Sequence, residues 1–171
     1  MRPSVRPVAA AVLMVGLIAT GSAMAQLRDA DPDWQEEIGG RPPEFDVRRL
    51  IPIDLPAHVG VRMGIDPETL SIGKDGVVRY VVVASGSGGA QTVLYEAIRC
   101  STAQYRRLAR HSPEGGWTVL AGSEWTALHG RLPSVHPLVI ARSGICEGAA
   151  PNRSTADMIR DLRTPPRQRH E

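Results

Sequence analysis

The chain has 171 residues, and its 20 lysines and arginines nearly balance its 18 aspartates and glutamates. This length suits one domain with a modest hydrophobic core, and the balanced charge gives no basis for binding nucleic acid or an anionic membrane surface. Two of the basic residues, Arg2 and Arg6, lie in a segment that we expect to be removed, so the mature chain would carry no net charge.

Residues 1–25 have the layout of a secretory signal peptide. Arg2 and Arg6 precede an apolar run over residues 8–20, and Ala23-Met24-Ala25 supplies the small residues of a cleavage site. An uncleaved membrane anchor is the alternative, but a membrane span needs about 20 apolar residues and this run is shorter. We therefore expect cleavage after Ala25 and a periplasmic or secreted protein without a further transmembrane span.

Residues 26–46 carry seven acidic side chains against two arginines, and prolines and glycines interrupt the segment. This composition predicts an extended acidic linker. A short helical turn over residues 33–38 is the alternative for its middle part, because Asp33 could cap it with Glu36 three residues later. Trp34 would either anchor the segment to the domain or be the single aromatic of a disordered arm.

The first strands are predicted between residues 47 and 72. Residues 47–55 predict an edge strand, since Pro52 lacks the N–H that a central strand would need. A second strand follows over residues 61–65. After a turn at residues 66–68, residues 69–72 lead into a hairpin turn at residues 73–76, Gly-Lys-Asp-Gly.

Residues 77–85, VVRYVVVAS, give the strongest strand pattern, with valines that would face both sides of a sheet. Such a strand is typically central and covered on both faces. Residues 91–100 predict the next strand after a glycine-rich turn. One of its faces carries Glu96 and Cys100, and the other carries Tyr95 and Arg99. Residues 104–110 predict a third, half-exposed outer strand.

The remaining segments give weaker patterns. Residues 117–120 predict a short strand, and residues 123–127 predict a strand or a turn. Residues 133–145 are ambiguous, although Pro137 would suit the first turn of a helix. Residues 154–162 predict a short amphipathic helix with a Ser/Thr cap. The arginine- and proline-rich tail, residues 148–171, is expected to be partly disordered, mainly from residue 164 onwards.

Cys100 and Cys146 are the two cysteines of the chain. In an exported protein an even number of cysteines predicts a disulfide, and neither residue has the neighbours of a metal pair or a catalytic thiol. The predicted fold class is α+β, a small, mostly antiparallel sheet with one or two helices packed on it and tied by this disulfide. A pure β-sandwich or barrel is the alternative.

No recognised catalytic, metal or cofactor motif is present, so no catalytic residue, metal or cofactor is predicted. Glu96 is the most interesting charged residue, because a carboxylate buried in mid-strand needs a partner. Arg79, Arg106 and Arg107 on neighbouring strands are candidates. A structural ion pair or a hydrogen-bonded acid is the favoured interpretation of Glu96, and a general acid or ligand contact is the alternative.

Four further side chains complete the candidate set of binding or structural residues. Trp117 and Trp125 are interpreted as core or lid aromatics in preference to a binding platform. Tyr95 and Arg99 lie beside Glu96 in the same predicted strand.

Several segments together resemble the CNP-like family, named after a cryptic neisserial protein. They are Trp34-Gln35-Glu36, GKDGVVRY at residues 73–80, YEAIRC at residues 95–100, the two later tryptophans and the second cysteine. The resemblance spans residues 34–146 and implies an exported protein of Gram-negative bacteria with a CNP-like domain over residues 47–147. It implies no activity, because the family is functionally uncharacterised. The family pattern also implies an aromatic-rich helix before the last cysteine, whereas residues 141–146 contain no aromatic.

These observations favour a non-enzymatic module that binds an envelope component or a protein. Two alternatives remain at this point. One is a hydrolase of an envelope polymer with Glu96 as its acid, and the other is a structural protein without a ligand.

Overall fold

A computed structural model describes residues 31–37, 40–130 and 132–164, so the predicted signal peptide and residues 165–171 lie outside the described residues. The backbone forms a seven-stranded antiparallel sheet with two helices. The strands are β1 Ile51–Ile53, β2 Val61–Ile72, β3 Val77–Gly86, β4 Gln91–Arg99, β5 Gln104–Ser112, β6 Gly116–Val119 and β7 Thr126–Ala127. The helices are α1 His136–Ile140 and α2 Thr155–Arg163, and the small pair β8 Cys146–Glu147 and β9 Ala150–Pro151 lies between them.

The strands follow one another across the sheet in chain order from β1 to β6, and β7 also pairs with β5. β3 is the central strand, and its residues from Val77 to Val83 are all buried. Val78 and Val82 face one core, whereas Val81 and Val83 face another. The prediction of a central strand covered on both sides is therefore confirmed. β1 is an edge strand, as Pro52 predicted.

The helices cover the first face of the sheet. Ile140, Ile145 and Met158 are fully buried there against strand residues such as Ile65 and Ile98. This arrangement confirms the predicted α+β fold and is not that of a β-sandwich or barrel.

The predicted disulfide joins Cys100, at the end of β4, to Cys146, at the end of the helical segment, with their Cα atoms 5.7 Å apart. Because 46 positions separate the two residues, closing this loop stabilises the fold by about 4 kcal/mol in the chain-entropy model.

The second face is covered by residues 31–37 and 40–46, which we call the N-terminal strap. Phe45 of the strap and Trp117 of β6 pack on a small core that includes Val83 and Tyr95. The helical turn that was the alternative for residues 33–38 is absent from residues 33–37, the part of it that the structure describes. Instead the carboxylate of Asp31 accepts a hydrogen bond from the backbone N–H of Asp33, and residues 34–37 form neither helix nor strand.

β2 runs through residues 66–68, where a turn was predicted. The strand keeps its pairing with β3 by a register shift between Asp66 and Ser71, which is a bulge. The fully buried carboxylate of Asp66 holds this bulge, since it accepts hydrogen bonds from Arg49 and from the backbone N–H groups of Asp46 and Glu68. Pro67 is tolerated because a bulge does not require its missing donor.

The ambiguous segment 133–145 is helical from His136 onwards, with Pro137 in the first turn of α1. The helix widens into a π-helical turn over Ala141–Ile145, in which Gly144 has a φ of 130°. α2 begins as predicted, since the Ser154 hydroxyl accepts a hydrogen bond from the backbone N–H of Asp157. The π-helical turn therefore packs against α2 at a glycine that is required both by its positive φ and by the close approach of Asp161.

Candidate functional site

A row of three polar side chains crosses the first face of the sheet. Tyr80 of β3 and Arg107 of β5 lie directly opposite Glu96 of β4. Glu96 is fully buried, and its Oε1 accepts a hydrogen bond from Arg107 Nε at 3.2 Å. Tyr80 donates its hydroxyl to Oε2 at 3.4 Å. Arg107, one of the three predicted candidates, is therefore the ion-pair partner of Glu96.

His136 of α1 lies over this row. Its Nε2 is 2.9 Å from Glu96 Oε2, and its Nδ1 is 2.7 Å from the hydroxyl oxygen of Ser134. His136 is only 3% exposed. It lies between the buried carboxylate of Glu96 and the half-buried side chain of Ser134, which is nearer the surface. Sequence reasoning missed both residues, and the one available signal was a histidine placed immediately before a helix-starting proline.

Tyr80 stays a neutral phenol in this row. Burial raises the pKa of Tyr80 well above its ordinary value, and the negative charge of Glu96 raises it further. The tyrosine can therefore only donate to Glu96. Tyr80, Arg107 and His136 therefore surround the Glu96 carboxylate with hydrogen-bonding contacts. These contacts offset the free-energy cost of burying its negative charge.

A cleft of about 510 Å³ opens on the first face beside α1. Its apolar lining comes from the ends of β2, β3 and β4 and from Leu120 after β6. Its polar lining comes from Thr92 of β4, from β5, and from Ser134 and His136 around the start of α1. The lining residues are Val61, Met63, Ala84, Thr92, Leu94, Arg107, Arg110, Leu120, Ser134 and His136.

Arg107 and Arg110 reach the same cleft because of a bulge in β5. Residues three apart in a regular strand point to opposite faces. A register shift opposite Tyr95 and Glu96 adds one residue to β5, so that Arg107 pairs with Glu96 and Arg110 pairs with Leu94. Arg110 is exposed and has no ion-pair partner among the described residues. The cleft therefore has a positive charge that nothing in its lining neutralises.

A second depression, of about 570 Å³, lies between β1 and α2. Three arginines line it. Arg48 pairs with Asp46, and Arg49 pairs with Asp66 and Glu68, whereas Arg163 is exposed and has no ion pair among the described residues. The cleft differs from this depression because Ser134 and His136, whose contacts lead to Glu96, line only the cleft of these two.

Two predicted candidates, Arg99 and Trp125, lie on the second face in contact with the strap. The guanidinium of Arg99 lies 3.6 Å from the ring centroid of Trp34, which also packs edge-on against Trp125. The indole N–H of Trp34 donates to the backbone oxygen of Asp75 at 2.8 Å. Trp34 is therefore an anchor of the strap and not the aromatic of a free arm.

Tyr95 and Trp117 form a second aromatic group on the same face, with ring centroids 6.2 Å apart and with Phe45 of the strap against Trp117. The sheet separates these residues from Glu96. The five predicted candidates therefore do not share one cleft, and four of them hold the strap against the sheet.

The hairpin turn after β2 also binds the strap. The carboxylate of Asp75 accepts hydrogen bonds from Arg79 and from the backbone N–H groups of Glu37 and Val77. Arg79, which is almost completely buried, donates onward to the backbone oxygen of Glu37 at 2.8 Å. The segment GKDGVVRY thus serves to fix the strap to the sheet.

The model of the CNP1-like family matches residues 29–163, which include the strap, the sheet and both helices. The chain belongs to the CNP1-like family. No curated protein and no solved structure matches the chain. Because the function of the CNP1-like family is uncharacterised, the function of this member has to be argued from its geometry.

Other structural features bear on where this CNP1-like protein folds. A disulfide indicates folding in an oxidising compartment outside the cytoplasm. No helix in the described ranges has the length and apolar character needed to cross a membrane. No cluster of three or more metal-ligating side chains occurs within those ranges either.

Proposed function

We propose that this CNP1-like protein is a periplasmic binding module of the Gram-negative envelope, and that its cleft holds a fatty acid by its carboxylate and the adjoining part of its acyl chain. The observation that supports this proposal is the combination of an apolar lining with two arginines, one of which has no partner in the described fold. An amphipathic anion matches both features.

The apolar part of the cleft suits an acyl chain. Met63, Ala84 and Leu94 supply adjoining apolar surface from three neighbouring strands. The cleft volume of about 510 Å³ falls in the range of small-molecule sites in proteins.

The basic part suits a carboxylate. Arg107 uses its Nε for Glu96, yet its side chain remains 39% exposed and borders the cleft. Arg110 is free to form the planar, two-point contact that a guanidinium makes with a carboxylate. We propose a free fatty acid as the ligand because the predicted signal peptide would deliver the protein to an envelope that is rich in acyl lipids.

Binding of dodecanoate to protein purified from the periplasm tests the proposal, with neutral dodecanol for comparison. We expect saturable binding of dodecanoate by calorimetry and weaker binding of dodecanol. Arg110→Ala should weaken dodecanoate binding by about tenfold, since a hydrogen bond to a charged group contributes roughly 1.5 kcal/mol or more.

Arg62→Ala is the matched control, because Arg62 is an exposed arginine of β2 that does not line the cleft. Equal affinities of the two variants would contradict the proposal, as would the absence of saturable binding. Preference for a short peptide with a free C-terminus would assign the same arginines to a peptide partner and would also overturn the fatty-acid proposal. The intact mass of the periplasmic protein separately tests cleavage after Ala25.

A further inference from the structure

We infer that Ser134 is the nucleophile of a serine-type esterase in this cleft, acting on carboxylic esters of acyl chains. The inference rests on the proposed function for the position of the acyl chain and adds a reaction that would release the same fatty acid. It comes from a continuous line of hydrogen-bonding contacts, from Ser134 Oγ to His136 Nδ1 at 2.7 Å and from His136 Nε2 to Glu96 Oε2 at 2.9 Å.

The surroundings of Glu96 fix the protons along this line. Because Glu96 forms an ion pair with Arg107, its carboxylate acts as an acceptor, and the hydrogen of a neutral His136 belongs on Nε2. Nδ1 is then the free acceptor, and the Ser134 hydroxyl donates to it. This is the arrangement of nucleophile, base and orienting acid that activates a serine, with the roles of the two ring nitrogens exchanged relative to the chymotrypsin arrangement.

The local backbone keeps the serine and the histidine together. Ser134 lies between Pro133 and the start of α1, and Pro137 occupies the first turn of that helix. Two prolines restrict the backbone around the pair, so that less conformational entropy is lost when Ser134 is held against His136. Ser134 and His136 both line the cleft, so the hydroxyl is accessible to an ester bound there.

Glu96 has a different role from the one that the sequence suggested. Its side chain is fully buried beneath His136 and therefore cannot contact a substrate as an acid. It is a positioning residue, because it holds the imidazole in one tautomer and stabilises the positive charge that the ring gains during the reaction.

The reaction proceeds in two balanced steps. In the first step, Ser134 Oγ attacks the ester carbonyl carbon and gives its proton to Nδ1 of His136. The bond from that carbon to the alcohol oxygen then breaks, and the alcohol leaves with the proton from Nδ1, which gives an acyl-serine. In the second step, water attacks the acyl-serine through the same base, the Ser134 oxygen recovers a proton, and a fatty acid is released.

The cleft arginines would assist both steps. Negative charge develops on the carbonyl oxygen in each transition state, and positive charge placed beside it lowers the barrier. Arg107 and Arg110 are the cations that line the cleft, and after hydrolysis the same groups would hold the carboxylate product.

Labelling with a fluorophosphonate probe tests the nucleophile directly. We expect one covalent adduct, located at Ser134 by peptide mass spectrometry, and turnover of p-nitrophenyl dodecanoate. Ser134→Ala should abolish the adduct and lower kcat by on the order of 100-fold or more. Ser143→Ala is the matched control, because Ser143 is also half-buried but lies at the depression between β1 and α2.

Turnover and labelling that are equal in Ser134→Ala and Ser143→Ala would overturn the inference, as would their absence from the native protein. Dodecanoate binding distinguishes this failure from failure of the proposed function, since Ser134→Ala should still bind the acid. Glu96→Gln tests the positioning role and should lower kcat with little change in KM. A purely structural role would instead lower the melting temperature and leave kcat of the folded fraction unchanged.

Discussion

Asp75 shows how single residues hold the strap on the sheet. Burial opposes ionisation of this carboxyl, but hydrogen bonds from Arg79 and from the backbone N–H groups of Val77 and Glu37 outweigh it and hold the pKa of Asp75 below its ordinary value. A carboxylate whose pKa is lowered by folding stabilises the fold at pH values above its unfolded pKa, about 3.9. That stabilisation is lost as the pH falls through the lower value of the folded state.

Asp75→Asn should therefore lower the free energy of unfolding at pH 7 by about 3 kcal/mol, because it leaves the buried Arg79 without its counter-charge. The difference from the native protein should begin to shrink as the pH falls below about 4, where the unfolded carboxyl takes up a proton, and should be smallest below the lower pKa of the folded state, where the native carboxyl is protonated too. Urea unfolding followed by tryptophan fluorescence, at pH 7 and below about pH 4, measures this difference in the free energy of unfolding. Asp54→Asn is the control, because Asp54 is an exposed residue after β1. A loss of stability in Asp75→Asn that did not depend on pH would contradict this explanation.

At the scale of single elements, the contact between the π-helical turn and α2 depends on Gly144. Its φ of 130° is a conformation that other residues rarely adopt. A Cβ at this position would also lie 2.6 Å from the Cβ of Asp161 in α2. Asn152 strengthens the same contact, since its side-chain amide donates to the Gly144 oxygen and to the Asp161 carboxylate, both at 2.9 Å.

Gly144→Ala should consequently destabilise the protein by about 3 kcal/mol or more, through backbone strain and displacement of α2. Gly148→Ala is a matched control, because Gly148 also has a positive φ, of 63°, but nothing lies within 4 Å of a Cβ built there. We expect that control to cost only about 1 kcal/mol. Thermal unfolding of both variants compares them, and similar losses would show that the close approach to Asp161 is unimportant.

At the scale of the whole molecule, the disulfide connects the two parts that form the cleft. Arg107 and Arg110 belong to the sheet, whereas Ser134 and His136 belong to the segment that leads through α1 to Cys146. Cys100 lies at the end of β4, the strand that carries Glu96. The bond therefore limits how far α1 can move away from its contact with Glu96.

Replacing both cysteines by serine should lower the free energy of unfolding by about 2–5 kcal/mol, the usual result of removing a native disulfide. The variant should also bind dodecanoate more weakly, because α1 is less firmly held over the sheet. Denaturant unfolding and calorimetry measure the two effects. Weaker binding without a loss of stability would contradict this account, since the two effects share one cause.

Much of the sheet could be predicted from the chain because valine-rich, alternating segments report their burial locally. β3, β4 and β5, the edge position set by Pro52 and the Ser154 cap all follow from patterns within a few residues. The prediction that β5 is an outer strand was wrong, because β6 and β7 pair with it on the side away from β4. The bulges in β2 and β5 could not be predicted in this way, because each depends on the pairing between strands.

The sequence by itself determined the family, the α+β class, the pairing of the cysteines and the need of Glu96 for an arginine partner. The family follows from its matching segments, and the other three follow from residue types and short-range periodicity. Only the tertiary structure decided which arginine that is, and it alone brought Ser134 and His136 to Glu96 across 40 positions of chain. The β5 bulge places Arg107 and Arg110 on the face of Glu96, and α1 places His136 over it; both depend on long-range packing that local patterns do not record.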